Sequence, residues 1–201
     1  MEMLLNSNFP YLVLLVQFTR HCDIKCRQYA VFVLGNLCSN QQNIDTMYNN
    51  GVLPILTLFS FPPAESDFIV QFQSISGIRG IAMINSLREK IVECGGLEPL
   101  VLASTGIAWK KNIEVKREAA AALCNMTLAD SIKKIMAFSG TIPALLELSS
   151  LSDNICQVFA IRAISNLAES GKAVRIKLIK ENCLNTLMNL ITCIGTEMEV
   201  R

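Results

Sequence analysis

Residues 115–127 read VKREAAAALCNMT. Four consecutive alanines, Ala119 to Ala122, lie in the body of a helical pattern. The stretch closes on Asn125-Met126-Thr127, the acceptor triplet for N-linked glycosylation. Whether Asn125 is a sugar site or a helix-terminal residue is answered by three other stretches that align with this one without gaps. They are CRQYAVFVLGNLC at 26–38, VQFQSISGIRGIA at 70–82 and CQVFAIRAISNLA at 156–168. The column of Asn125 holds Asn36, Gly80 and Asn166, at separations of 44, 45 and 41 residues. Neither Asn36 nor Asn166 stands in an acceptor triplet. A repeat accounts for Asn125; a sugar does not.

A second series runs in phase with the first. NFPYLVLL around Pro10, VLPILTLF around Pro54, LEPLVLAS around Pro99 and TIPALLEL around Pro143 recur every 44 or 45 residues, and CLNTLMNL continues them with Asn185 in the proline column. Three members carry Gly-x-x-Pro: Gly51 with Pro54, Gly96 with Pro99 and Gly140 with Pro143. Glycine at that place supplies the left-handed backbone that stops one helix. Proline suits the first turn of the next, where its missing N–H costs nothing. Small residues along Ala119–Ala122 allow close helix approach, and stacking buries a core that no single repeat closes alone.

Composition sets the class. The 201 residues are 51% hydrophobic and 17% charged, with 10 Gly and 6 Pro, which suits a compact helical chain and excludes a disordered one. The 8 cysteines are scattered through apolar segments, as free thiols in a reducing compartment are, so no disulfide framework is expected. The start lacks a basic region before its apolar run and reads poorly as a signal peptide. The run Tyr11 to Val16 falls well short of the ~18–20 residues that cross a bilayer. A net charge of +1 gives no nucleic-acid footprint and no polybasic membrane patch. A cytoplasmic chain with no direct membrane insertion is expected.

Period and pattern together resemble the armadillo repeat: a short first helix, a second entered through Gly-x-x-Pro, and a long third ending in Ala-Leu-x-Asn-Leu. The resemblance implies an all-α fold, an armadillo-type right-handed α-solenoid. It divides the chain into a partial repeat at 1–40 (second and third helices), repeats at 41–84, 85–128 and 129–169, and a partial repeat at 170–201 lacking its third helix. Within the superfamily, Ala122 to Thr127, Ile142 to Leu148, Ala163 to Ala168 and Leu34 to Leu37 resemble the vacuolar armadillo scaffold (vacuolar protein eight) family. That likeness implies a peripheral adaptor on the vacuole or another organelle. Neither end offers the polar outer face that closes a solenoid. Uncapped ends, exposed apolar stripes around Leu12 to Phe18 and Leu184 to Ile191, and self-association through them are the expectation.

The resemblance also places a concave groove on the third helices, able to hold an extended segment of a protein partner. One turn before each Asn column, on the same helix face, come Phe32, Ser76, Ala121 and Arg162. A further turn back come Tyr29, Gln73, Glu118 and Phe159. Asn36, Asn125 and Asn166 either clamp a partner's backbone, since an amide donates and accepts at once, or bond neighbouring loops. Tyr29, Phe32 and Phe159 supply apolar contacts. Nuclear-import adaptors share this fold but need a tryptophan ladder where this chain has Phe32, Ser76, Ala121 and Arg162, so that role ranks below a scaffold. A spacer in a cytoskeletal or ciliary assembly is the alternative. Trp109, beside Lys110 and Lys111 in an extended connection, is either a loop contact or folded over apolar surface.

No catalytic constellation emerges. His21, Cys22, Asp23 and Cys26 are close in sequence, but a structural zinc site wants four ligands in paired motifs, and no second pair exists. No phosphate loop of the Gly-x-x-x-x-Gly-Lys type occurs. No cofactor and no metal are expected.

Overall fold

The computed structural model describes residues 10–61, 68–105 and 112–189, and every regular element among them is helical. The helices are α1 (Pro10–Phe18), α2 (Ile24–Cys38), α3 (Ile44–Asn49), α4 (Val52–Ser60), α5 (Phe68–Ala82), α6 (Arg88–Glu93), α7 (Leu97–Thr105), α8 (Ile113–Met126), α9 (Asp130–Phe138), α10 (Thr141–Ser149), α11 (Asn154–Ala168) and α12 (Lys172–Lys180). A further helix occupies 183–189. The four aligned stretches that carry the Asn column are α2, α5, α8 and α11, the long third helices. They stack in sequence order, α2 on α5, α5 on α8 and α8 on α11.

Local chemistry starts and stops each helix where the repeat requires. Three of the third helices, α2, α8 and α11, open on short polar side chains: Asp23 accepts from the Lys25 N–H, Asn112 from Val115 and Asp153 from Cys156. Each satisfies a donor that the first helical turn leaves unpaired. The second helices open after a left-handed residue, Gly51 (φ 71°) before α4 and Gly140 (φ 82°) before α10. At the middle boundary the alignment assigns that conformation to Gly96, but the structure places it on Gly95 (φ 79°). There the Gly95 N–H bonds Val92 O and the Gly96 N–H bonds Ile91 O, a closure of the preceding helix that puts the left-handed residue one place earlier. Gly96 serves contact instead, since a Cβ on it would lie 2.8 Å from Ile91 Cγ2. Before the helix at 183–189, Asn182 takes φ 56° in the same column. Asparagine tolerates that region better than most side chains.

A continuous apolar core runs from Leu12 to Cys183. Ala119, Ala120 and Ala122 are buried in it, as are Leu34, Ile75, Ile78, Leu123, Ile164 and Leu167. The approach of α5 to α2 is closer than any side chain would allow. A Cβ on Gly35 would meet Gln73 O at 2.3 Å, and one on Gly80 would meet Cys38 O at 2.0 Å.

Four repeats also tie the second helix, or the turn after it, to the third by one recurrent bond. Arg27 Nη1 donates to His21 O (2.7 Å), Gln71 Nε2 to Ser60 O (2.8 Å), Lys116 Nζ to Ser104 O (3.0 Å) and Gln157 Nε2 to Leu151 O (2.7 Å). These four residues occupy one alignment column, next to Cys26, Val70, Val115 and Cys156. Their long side chains satisfy carbonyls at the end of the second helix, or just past it, that no following turn can reach. The seven described cysteines are free.

Candidate functional site

Three side-chain rows follow the third helices. The outermost holds Tyr29, Gln73, Glu118 and Phe159. Tyr29 is 71% exposed, while Gln73, Glu118 and Phe159 are half-buried. In the next row Phe32 is half-buried, Ser76 and Ala121 are buried and Arg162 is exposed. In the Asn row, Asn36 is exposed, Gly80 buried, and Asn125 and Asn166 half-buried. The rows are therefore uneven. In the middle row the bulky or charged groups, Phe32 and Arg162, stand at α2 and α11, and Ser76 and Ala121 between them offer a floor of small side chains.

Gly80 interrupts the Asn row for a packing reason. Any side chain there would enter the Cys38 carbonyl. The three asparagines, in turn, are not equivalent. Asn166 Nδ2 donates to Thr127 Oγ1 at 3.0 Å, reaching back one repeat. The residue in the same relation to Asn125 is Ala82, which has no acceptor on its side chain. Among the described residues neither Asn36 nor Asn125 makes a side-chain hydrogen bond. The sequence left two roles open for these amides, and Asn166 takes the structural one.

Thr127 also answers the sugar question by geometry. Its side chain is 0% exposed, its Oγ1 donates to Cys124 O at 2.6 Å, and it accepts from Asn166. The triplet's hydroxyl is thus committed inside the fold.

The three rows carry two charged side chains, Glu118 and Arg162, and one of them is neutralised. Glu118 pairs with Arg79 of α5, so its carboxylate is not a free contact. Glu114, one turn further back, acts on Arg117, whose guanidinium is held by Asp153 at 2.7 Å. Arg162 has no ion-pair partner among the described residues, and its charge acts on Cys124 of α8. Burial nonetheless dominates Cys124 and pushes its thiol up.

At the α2 end, Lys25, Gln28, Tyr29, Phe32, Ile69 and Val70 line an open cleft of about 310 Å³. Sequence reading named Tyr29 and Phe32 but missed Ile69, the counterpart of Lys25 on the next third helix. An exposed isoleucine at the start of a helix carries no signal by itself. Trp109 lies outside the described residues. The sequence cluster near His21 does not assemble as a metal site: His21 Nδ1 accepts from the Asp23 N–H at 3.1 Å. Among the described residues no group of three or more His, Cys, Asp or Glu side chains is placed to hold a metal ion.

This architecture has clear relatives among solved structures. The chain is similar to an engineered protein at 28% identity over 90% of its own length and 73% of that chain, with a TM-score of 0.77. It is similar to a designed armadillo repeat protein solved in complex with the peptide (KR)4, at 22% identity over 94% of this chain and 80% of that one, TM-score 0.76. It is also similar to computationally designed armadillo repeat proteins for modular peptide recognition, at 22% identity over 87% and 72%, TM-score 0.78. The fold is an all-α solenoid of the armadillo type. No protein-family model matches the chain, and no curated protein matches its sequence.

Proposed function

We propose that the chain is a non-catalytic scaffold whose third helices receive an extended segment of a partner protein. The observation that carries this reading is the Asn125 amide, half-buried in the groove wall without an internal partner, in the row where Asn166 is tied to Thr127. The Asn125 amide is not among the buried unsatisfied groups, so its polar atoms reach solvent, and an extended backbone passing along the row supplies a donor and an acceptor together. Tyr29 and Phe32 add aromatic surface at one end, as interface anchors do.

A photo-crosslinking residue in place of Tyr29 tests the reading against the same residue in place of Leu58, which is exposed on α4. The groove position should capture partner proteins in cells and the α4 position should not. Capture from Leu58 alone would move the interface elsewhere. Asn36→Ala and Asn125→Ala should weaken the captured complex more than Asn166→Ala.

The organelle adaptor implied by residues 115–170 is a narrower form of the same proposal. Among the described residues no helix is long and apolar enough to cross a membrane. Co-fractionation of the tagged chain with vacuolar membranes, lost in the Asn36→Ala/Asn125→Ala variant, is the expected result. Fractionation unchanged by that variant would separate location from the groove.

A further inference from the structure

Building on the groove reading, we infer that the partner segment carries a large apolar or aromatic side chain and, about six to eight residues away, an acidic one. Two separate features of the groove specify them. The cleft between α2 and α5, about 310 Å³, is walled by Tyr29, Phe32, Ile69 and Val70. Its size lies at the low end for ligand sites and gives room for one large side chain. Tyr29 and Ile69 are 71% and 64% exposed, so an apolar occupant removes surface on both partners from water.

The acidic feature follows from charge. In the three groove rows the charged residues are Glu118 and Arg162, and Glu118 is already paired with Arg79. Glu114, further back, stands beside the Arg117–Asp153 pair. Arg162 remains as the exposed cation without an ion-pair partner among the described residues, and Lys25 repeats that sign at the cleft mouth. A carboxylate is complementary to Arg162, and arginine can hold it through two parallel bonds. A basic segment such as (KR)4 would find its acid already neutralised.

Spacing comes from the stacking. From the α2–α5 cleft to α11 is about two and a half interhelix steps of roughly 8–10 Å each, or about 20–25 Å. An extended chain advances about 3.3 Å per residue, which gives about six to eight residues between the two features.

The test pans a phage-displayed library of random dodecapeptides against the full chain and against Arg162→Glu and Tyr29→Ser/Phe32→Ser variants, each checked for unchanged helical circular dichroism. Peptides enriched on the natural chain should share an aromatic or large apolar residue and an acid at that spacing. On Arg162→Glu the acid should give way to lysine or arginine, and on the Tyr29→Ser/Phe32→Ser variant the aromatic preference should fall at least tenfold. Enriched peptides that depend on Asn36 and Asn125 but are basic, or lack the pair, would overturn this inference and leave the groove reading standing. No enrichment, or enrichment indifferent to every groove substitution, would overturn both.

Discussion

Asp153 joins two repeats through Arg117. Its carboxylate accepts from Arg117 Nε (3.1 Å) and Nη2 (2.7 Å) on α8 while also capping α11 through the Cys156 N–H (2.9 Å). The Arg117 hydrogen bonds, against some opposing desolvation and with help from the Cys156 N–H, hold its carboxyl down at about 2 from the ordinary 3.8.

The pH dependence follows from that direction. A carboxyl whose folded value is depressed contributes its stability in full above the unfolded value and loses it as pH falls through the folded one. Asp153→Asn keeps a capping oxygen and removes the charge. Melting temperatures of the natural chain and of Asp153→Asn should therefore differ most above pH 3.8 and converge as pH falls toward about 2. A gap that stays constant across this window would show that Arg117 does not stabilise the ionised form. Asp153→Ala, which also removes the cap, should cost about 1 kcal/mol more.

The Asn166–Thr127 bond should appear as coupling. Thr127→Val and Asn166→Ala each remove one partner from a buried or half-buried pair, and a hydrogen bond of this kind contributes about 0.5–1.5 kcal/mol. A double-mutant cycle read by urea denaturation should give an interaction term in that range. Additive losses would mean that the two side chains do not meet in solution. The same cycle on Asn125 and Ala82→Thr should create coupling where the natural chain has none.

Gly80→Ala should destabilise more than Gly51→Ala. A Cβ at Gly80 would stand 2.0 Å from Cys38 O, and helix α5 must move to admit it, while a Cβ at Gly51 meets open space and suffers only from φ 71°. Overpacking costs about 1–3 kcal/mol, and left-handed backbone for alanine about 1–2 kcal/mol. Thermal denaturation should rank them in that order. Equal losses would place α5 further from α2 than described.

Apolar surface at the C-terminal end predicts association. Ile176, Ile179, Leu184 and Met188 are all exposed there. The chain should bind a hydrophobic dye or self-associate at micromolar concentration, and Ile179→Lys with Met188→Glu should suppress both. A monomer without dye binding would show that this surface is covered in solution.

Much of the fold was legible because two punctuation series, glycine–proline and the Asn column, run in phase, and the first has a local cause in the left-handed backbone at Gly51 and Gly140. What stayed hidden depended on distance between helices. Gly80 reads as a gap in the amide row until the Cys38 carbonyl is seen against it. Glu118 reads as a contact for a partner until Arg79 is found on the next helix. The bond from Asn166 to Thr127 depends on the offset between α11 and α8, which no single helix pattern contains. Gly95 and Gly96 are adjacent, and only the hydrogen bonds to Val92 and Ile91 tell which of them turns the chain.

The bond between second and third helices has a bearing on how such chains change over generations. One chain fills the same column with arginine, glutamine, lysine and glutamine, and each still reaches a carbonyl at the end of the second helix or just past it. The position is strict about hydrogen-bond polarity, and where it is buried its charge is answered, as Lys116 Nζ is by Glu147 Oε1 at 3.1 Å. A change of charge at buried Gln71 or Lys116 therefore also calls for a change in the residue that faces it. Exchange among long donor side chains in this column is thus free of its neighbours only where the position is half-open to solvent, as at Arg27 and Gln157.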